Sequence, residues 1–464
     1  MSEPMLETGV KNQVILNEDD NVMLPEKEIM AFGMAGFAIN ITFIYMIAFV
    51  QFFWTDVLMI PATLVGIFMM VCKVWDALND IIVAYFTDRS KWKKGFYIPW
   101  EWSFIPMIIF MCLVMNRGDG SRMFMVLTFV MYVFYTLFET FYEVPNLASL
   151  STMTLNYRCR GKLTAHRQFF GNVAALIVTT SCIPLSMALG NGDMAQGWTK
   201  AAIVYGVIAA PFFVIGILGR KERFRPVQES GAQVSMKESI KCLKNNLPAW
   251  MIILAHFAWG VANGFGGAAK NYYWTYVYGD VTLISSTAWF GSGGMIIAAI
   301  VALLIAGRVK NKRDIPLVAW SFCALFNLIA FFLPIGPGSI LPLKILLGLA
   351  QVGGQIGFIT LFGIAPDVTE YSQQVHGLRN AGFIFAAINL AFQFGNAFTS
   401  GVFVTVLGAM GYVAGQTQTP AVLSLISLGS WLFPALGMAF GVFCWLKYKL
   451  NEQTHNEAIH RLSR

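Results

Sequence analysis

Charge is what this sequence has least of. Only 12% of its 464 residues are Asp, Glu, Lys or Arg, against about 25% in an ordinary soluble domain. That supply cannot cover a water-exposed surface, and 56% of the residues are apolar. The chain reads as an integral membrane protein. Histidine is scarce too: the five are dispersed. No GxxxxGK[ST] phosphate loop, HExxH pair or nucleophile elbow is present, so no soluble enzyme chemistry is indicated and no cofactor is expected. The seven cysteines are scattered, with no metal-ligand spacing, and read as small buried hydrophobes. The start, "MSEPMLETGVKNQVILNEDDNVMLPEKE", has no basic region and no cleavage site, so no signal peptide is expected. The net charge of +7 does not point to nucleic acid, because a basic excess is what the positive-inside rule produces.

What is present is apolar runs. A spanning helix needs about 20 apolar residues. Twelve candidates lie at 30–55, 60–86, 99–116, 122–150, 164–189, 199–219, 247–278, 283–307, 315–335, 338–365, 379–410 and 419–446. The longest polar connection, "GRKERFRPVQESGAQVSMKESIKCLKNN" at 219–246, divides them six and six. The reading is therefore a tail at 1–29, a six-helix half at 30–218, the central loop at 219–246, a second half at 247–446 and a tail at 447–464. Most Lys and Arg fall in the tails and alternate connections, while Arg117, Arg122, Lys200 and Lys344 fall on the other side. Both termini are expected in the cytoplasm, in a multi-pass protein of the inner or plasma membrane. This all-α layout is that of the major facilitator architecture, whose halves rock about a site near the midplane.

Charges inside such helices mark ion or substrate paths. The stretch "CKVWDALND" carries Lys73, Asp76, Asn79 and Asp80, with the two acids at i,i+4 on one face. Oxygen ligands suit a hard cation, and two carboxylates without one repel. A Lys73–Asp76 pair that merely locks helices is the plainer reading. "FETFYEVPN" repeats the spacing with Glu139 and Glu143, sets Thr140 near them, and adds a kinking Pro145. Arg167 in "TAHRQFFGN" is placed to snorkel, to pair with those glutamates, or to hold sugar hydroxyls. In "AHFAWGVANGFGGAAKNYYWTYVYGD", His256, Trp259, Asn263 and Lys270 share a broad face, and Lys270 neighbours Tyr272, Tyr273, Trp274 and Tyr276. Rings beside a polar head suit a pyranose, although an interfacial aromatic belt has the same pattern. Gly260, Gly264, Gly266 and Gly267 suit close helix packing.

The segments "FFWTDVLMI", "KVWDALNDI", "YEVPNLASLSTMT", "HRQFFGN", "NYYWTYVYGD", "APDVTEYSQQVHGLRNAG" and "GYVAGQTQTP" resemble, in order and spacing, the glycoside–pentoside–hexuronide:cation symporters, the family of melibiose permease. The resemblance implies a coupling-cation site at Asp76, Asn79, Asp80 and Thr140, for Na⁺ rather than H⁺ alone. It implies substrate contacts at Glu143 and Arg167; the residues themselves add Asn389 and Lys270 as expected contacts, with Gln393, Glu139 and Lys73 as further candidates. Departures fall on the substrate side. The family's first-helix acid is Gly36, its eleventh-helix lysine is Gln393, the basic residue before the acids is Lys73, the proline after them is Ile81, and the fourth-helix tryptophan is Leu147. The expectation is a monomeric symporter for a sugar, glycoside or hexuronide, working by alternating access in the bilayer. The alternatives are a carrier of a non-sugar substrate, such as the lysolipid carriers that also resemble this family, and a membrane sensor on a carrier scaffold.

Overall fold

Apolar residues run round most of these helices, so packing and lipid, not water, must take up their surfaces. The computed structural model describes residues 24–88, 95–154, 157–223, 246–305, 309, 311–376 and 381–448. The tails and most of the central connection lie outside the described residues, as do Cys242 and the side chains of Lys73 and Asp80.

The helices are α1 (Glu26–Phe52), α2 (Ala62–Asp88), α3 (Phe104–Val114), α4 (Arg122–Met153), α5 (Tyr157–Gly190), α6 (Met194–Leu218), α7 (Leu247–Tyr272), α8 (Thr282–Ile305), α9 (Asp314–Phe332), α10 (Ile340–His376) and α11 (Ala381–Ala409). The last span is α12 (Pro420–Ser427) and α13 (Phe433–Lys447), joined by a π-turn at Leu428–Leu432. That makes twelve spans, and no strand occurs among the described residues. Ten are long and apolar enough to cross a membrane, counted over the described residues alone. Side-chain caps set several starts: Ser121 accepts from Phe124 N at 3.0 Å, and Asn246 Oδ1 accepts from Ala249 N at 3.0 Å.

Two helices exceed their apolar runs. α5 begins at Tyr157 and α10 continues to His376. Hydropathy reports the part of a helix that lipid covers, whereas the backbone ladder can continue past that boundary. Val71, Val207, Ile297, Phe322 and Leu436 are exposed, an outer surface that only lipid tolerates. Inside, α1 packs on α5 and α6, α2 on α11, α5 on α8, and α7 on α11 and α13. Trp54 fills the core among Phe68, Phe129 and Tyr132, with Phe68 and Phe129 stacked at 4.1 Å. All the described cysteines are buried except the half-buried Cys112.

At the end of the bundle where α1 starts, polar groups tie helices together. Arg220, just past α6, forms a fully buried ion pair with Glu101 before α3 and donates to Ser149 Oγ at 3.3 Å. Glu222 accepts from Phe96 N at 2.6 Å and Thr152 Oγ1 at 2.9 Å. Arg223 pairs with Glu28 of α1 at 2.6 Å. The chain leaving α6 thus grips α1, α4 and the lead into α3 before it enters the central connection.

Candidate functional site

A cavity of about 410 Å³ lies among the helices. Its α2 and α4 wall carries the carboxylates Asp76 and Glu139. Its α7 wall carries Trp259, Asn263, Lys270 and Trp274, and Asn327, Gln351 and Asn396 add amides from α9, α10 and α11. Acids and the cavity lysine therefore stand on different walls.

One turn past Asp76 the cation candidates meet. Asn79 is fully buried between α2 and α4. Its Nδ2 donates to Thr140 Oγ1 at 2.9 Å and to the Thr136 carbonyl at 3.2 Å. Its Oδ1 is buried and has no hydrogen-bond partner among the described residues. A buried carbonyl oxygen without a donor is costly unless something positive meets it. Asn79 and Thr140 thus meet between α2 and α4, and Asp76 stands about one turn earlier on α2, at the cavity.

Glu143 and Arg167 pair with each other, half-buried, linking α4 to α5. Glu143 Oε2 and Arg167 Nε remain buried without a partner among the described residues. Neither residue lines the enclosed cavity. Gly36 explains one departure from the family pattern. A Cβ there would lie 2.6 Å from Arg167 Cγ and 2.8 Å from the Arg167 carbonyl oxygen. The α1–α5 contact occupies the room that an acid at 36 would need. On α11, positions 389, 393, 396 and 400 form one stripe by helical spacing. Asn396 and Ser400 line the cavity, but Asn389 and Gln393 lie beyond it, exposed, toward the end where α1 starts.

The opposite end is closed. Asp56 accepts hydrogen bonds from Tyr276 and, at 2.6 Å, from Tyr412. Thr55 and Tyr272 hydroxyls meet at 2.9 Å, and Asn271 Nδ2 donates to the Ala48 carbonyl at 2.8 Å. Thr179 of α5 and Ser292 of α8 meet at 3.2 Å. Gly66 lets α2 press on α11, since a Cβ there would collide with the backbone and hydroxyl of Thr405. The aromatic cluster after Lys270 therefore seals this end. Tyr272 and Tyr273 are buried, Tyr276 bonds Asp56, and only Trp274 of the four lines the cavity. Gly260 and Gly264 pack closely against α11, and Gly264, Gly266 and Gly267 line the cavity. His256 is buried with Nδ1 3.3 Å from the Ile252 carbonyl, away from the cavity lining.

Asp56, Asn271 and Asn327 do not stand out in the sequence as Asp76 and Glu143 do. A signal for Asp56 exists. "FWTDV" at 53–57 and "YWTYV" at 273–277 repeat one pattern, and each forms a π-turn closing α1 or α7.

Membrane-length helices around a polar cavity closed at one end define a membrane carrier. The profile of the MFS/sugar transport protein family matches residues 31–452, and the chain belongs to that family, in its glycoside–pentoside–hexuronide branch. It is a transporter, not an enzyme. An isoprimeverose transporter of Lactiplantibacillus pentosus is 28% identical over 93% of this chain and 90% of its own. A glucuronide carrier protein homolog of Escherichia coli (strain K12) is 23% identical over 95% of this chain and 96% of its own. The crystal structure of a D-xylose–proton symporter shares the fold, with a TM-score of 0.64 at 12% identity over 90% of this chain and 97% of that one.

Proposed function

We propose that this chain is a Na⁺-coupled symporter that imports a sugar, glycoside or hexuronide by alternating access. The observation that carries the coupling half is the Oδ1 of buried Asn79, without a partner among the described residues, beside Thr140 and one turn from Asp76. A cation there would be held by neutral oxygens and by the carboxylates of Asp76 and Asp80, whose mutual repulsion it relieves. It would also tie α2 to α4. Asp76 faces the cavity, so the cation and a solute in the cavity share one wall. Each then improves the other's binding by the same factor, which is what coupling means thermodynamically.

The names of relatives supply the substrate half: one is an isoprimeverose transporter and one a glucuronide carrier homolog. The cavity, about 410 Å³ with amides, hydroxyls and tryptophans, is of a size and character that suit a small glycoside. The repeated π-turn motif supports two moving units, residues 30–218 and 247–446. With the termini in the cytoplasm, the Asp56 end faces outward and the arrangement is inward-facing. Glu143, Arg167, Asn389 and Gln393 then lie on the cytoplasmic side of the cavity, along the exit path.

Uptake of a labelled glycoside panel into proteoliposomes tests this, under an inward Na⁺ gradient, a proton gradient, or neither. Accumulation driven by Na⁺ and lost in Asp76→Asn is expected. Equal entry under all three conditions would remove the coupling, and a proton-only response would remove Na⁺.

A further inference from the structure

Lys270 stands at the deep, closed end of the cavity, beside Trp274 and Asn271, on the wall away from Asp76 and Glu139. Its Nζ lies 5.4 Å from the Trp431 ring centroid. Gly266, one turn before it on α7, lies against the ammonium, with an added Cβ 3.4 Å from Nζ. Among the described residues Lys270 makes no ion pair. An ammonium directed into a partly dehydrated cavity is costly without an anion. Snorkelling would instead bring it to the membrane surface, whereas its neighbours Tyr272, Tyr273 and Trp274 are buried. The cation–π contact recovers only part of the lost hydration.

A second unfilled group lies on the adjoining wall. Asn327 of α9 is buried, and its Nδ2 donates to the Cys323 carbonyl at 2.8 Å and approaches Cys323 Sγ at 3.6 Å. Its Oδ1 is buried with no partner among the described residues. Cys323, Asn327 and Lys270 line the same cavity. The walls at this end thus offer one cationic donor and one neutral acceptor, while the described carboxylates face the cavity from α2 and α4.

The geometry points to an anion subsite at Lys270: the substrate is an anionic sugar whose oxyanion, carboxylate or sulfonate, sits against Lys270 at the closed end while a hydroxyl donates to Asn327. This deepens the sugar-symport reading and rests on it. The arrangement keeps the substrate's negative end apart from Asp76 and Glu139. It also gives an anionic substrate a counter-charge that a neutral glycoside cannot use.

The test is binding by purified protein, in saturating Na⁺, to matched methyl glycosides in the gluco and galacto series. Each series contains the neutral hexoside, the uronide and the 6-sulfo analogue. Wild type should bind an anionic member at least about tenfold more tightly than its neutral partner, the scale of a charge-assisted hydrogen bond. Lys270→Ala should erase that preference, weakening the anionic members about tenfold more than their neutral partners. Lys270→Arg should keep most of it, which also guards against a folding defect. Asn327→Leu should weaken all members alike. The uronide and sulfo arms distinguish the two oxyanions. Tightest binding of a neutral hexoside by wild type overturns the inference and leaves the sugar reading standing. A preference that survives in Lys270→Ala also overturns it. Binding of none of the panel overturns both.

Discussion

Asp56 accepts a hydrogen bond from Tyr276, and the two residues occupy the same place in a repeated motif, fourth in "FWTDV" and fourth in "YWTYV". Equivalent positions that touch are what a two-fold relation between repeats produces. The π-turn at each site widens the last helical turn, and it aims both side chains across the closed end. Tyr412 donates to the same carboxylate, and its hydroxyl lies 3.0 Å from that of Tyr276.

This lock should set the balance between inward- and outward-facing forms. Hydrogen bonds to a carboxylate are worth about 1.5–3 kcal/mol each. Tyr276→Phe with Tyr412→Phe should therefore move the equilibrium outward by about tenfold or more. A cysteine introduced at Ser292, with the native cysteines replaced, should react faster with an impermeant maleimide added outside intact cells. An unchanged rate would show that these bonds do not hold the end shut.

The α2–α11 crossing offers a steric route to the same shift. Gly66→Leu places a side chain where Thr405 stands. Overpacking of this kind costs about 1–3 kcal/mol in the closed arrangement. Transport should fall sharply while membrane insertion persists, and the Ser292→Cys labelling rate should rise. Normal uptake by Gly66→Leu would mean that the helices part too little for the contact to matter.

The proposed cation site predicts a graded series. Asn79→Ala removes the buried oxygen and should raise the Na⁺ concentration for half-maximal uptake by about tenfold or more. Asp76→Asn should abolish concentrative uptake with the protein still inserted, and Thr140→Val should fall between them. Sodium titrations of uptake decide it; wild-type sodium dependence in Asn79→Ala would take Asn79 out of the site.

Glu143 and Arg167 pair across α4 and α5 outside the enclosed cavity. If substrate meets them on its way, Glu143→Gln should weaken sugar binding more than Na⁺ binding, by about tenfold, the worth of a charge-assisted bond. Titration calorimetry of both ligands separates the effects. An unchanged sugar affinity confines the pair to holding helices.

The Arg220–Glu101 pair makes a prediction about stability alone. Both side chains are fully buried, so Glu101→Gln leaves an uncompensated guanidinium and should cost about 3–5 kcal/mol. The double variant Glu101→Leu with Arg220→Met removes both charges and should recover much of that loss. Thermal unfolding in detergent measures both, and a double variant no better than the single would contradict this account.

That the chain spans a membrane in twelve segments is legible in its residues alone, and most helix ends fall within a few residues of where hydropathy puts them. Hydropathy reports directly on burial in lipid, where every backbone group must bond within its own helix. Asp76, Asn79 and Thr140 stand out in the sequence for a related reason, since polar side chains are costly in an apolar helix; that Asn79 meets Thr140 across α2 and α4 is a matter of packing. The rest depends on which faces meet. Tertiary packing alone placed Lys270 in the cavity and its neighbours Tyr272, Tyr273 and Tyr276 in the seal, since a helix of mixed aromatic and polar residues has no single apolar stripe to orient it. The packing of α5 on α1 is what shows why position 36 holds glycine. Asn389 and Gln393 lie on the stripe that the spacing puts them on, but how far the cavity extends along it depends on where the helices part. Asp56 is signalled only by the repeated five-residue motif; its partners, about 220 and 356 residues away, belong to the conformation, because the fold alone brings segments so distant in sequence together.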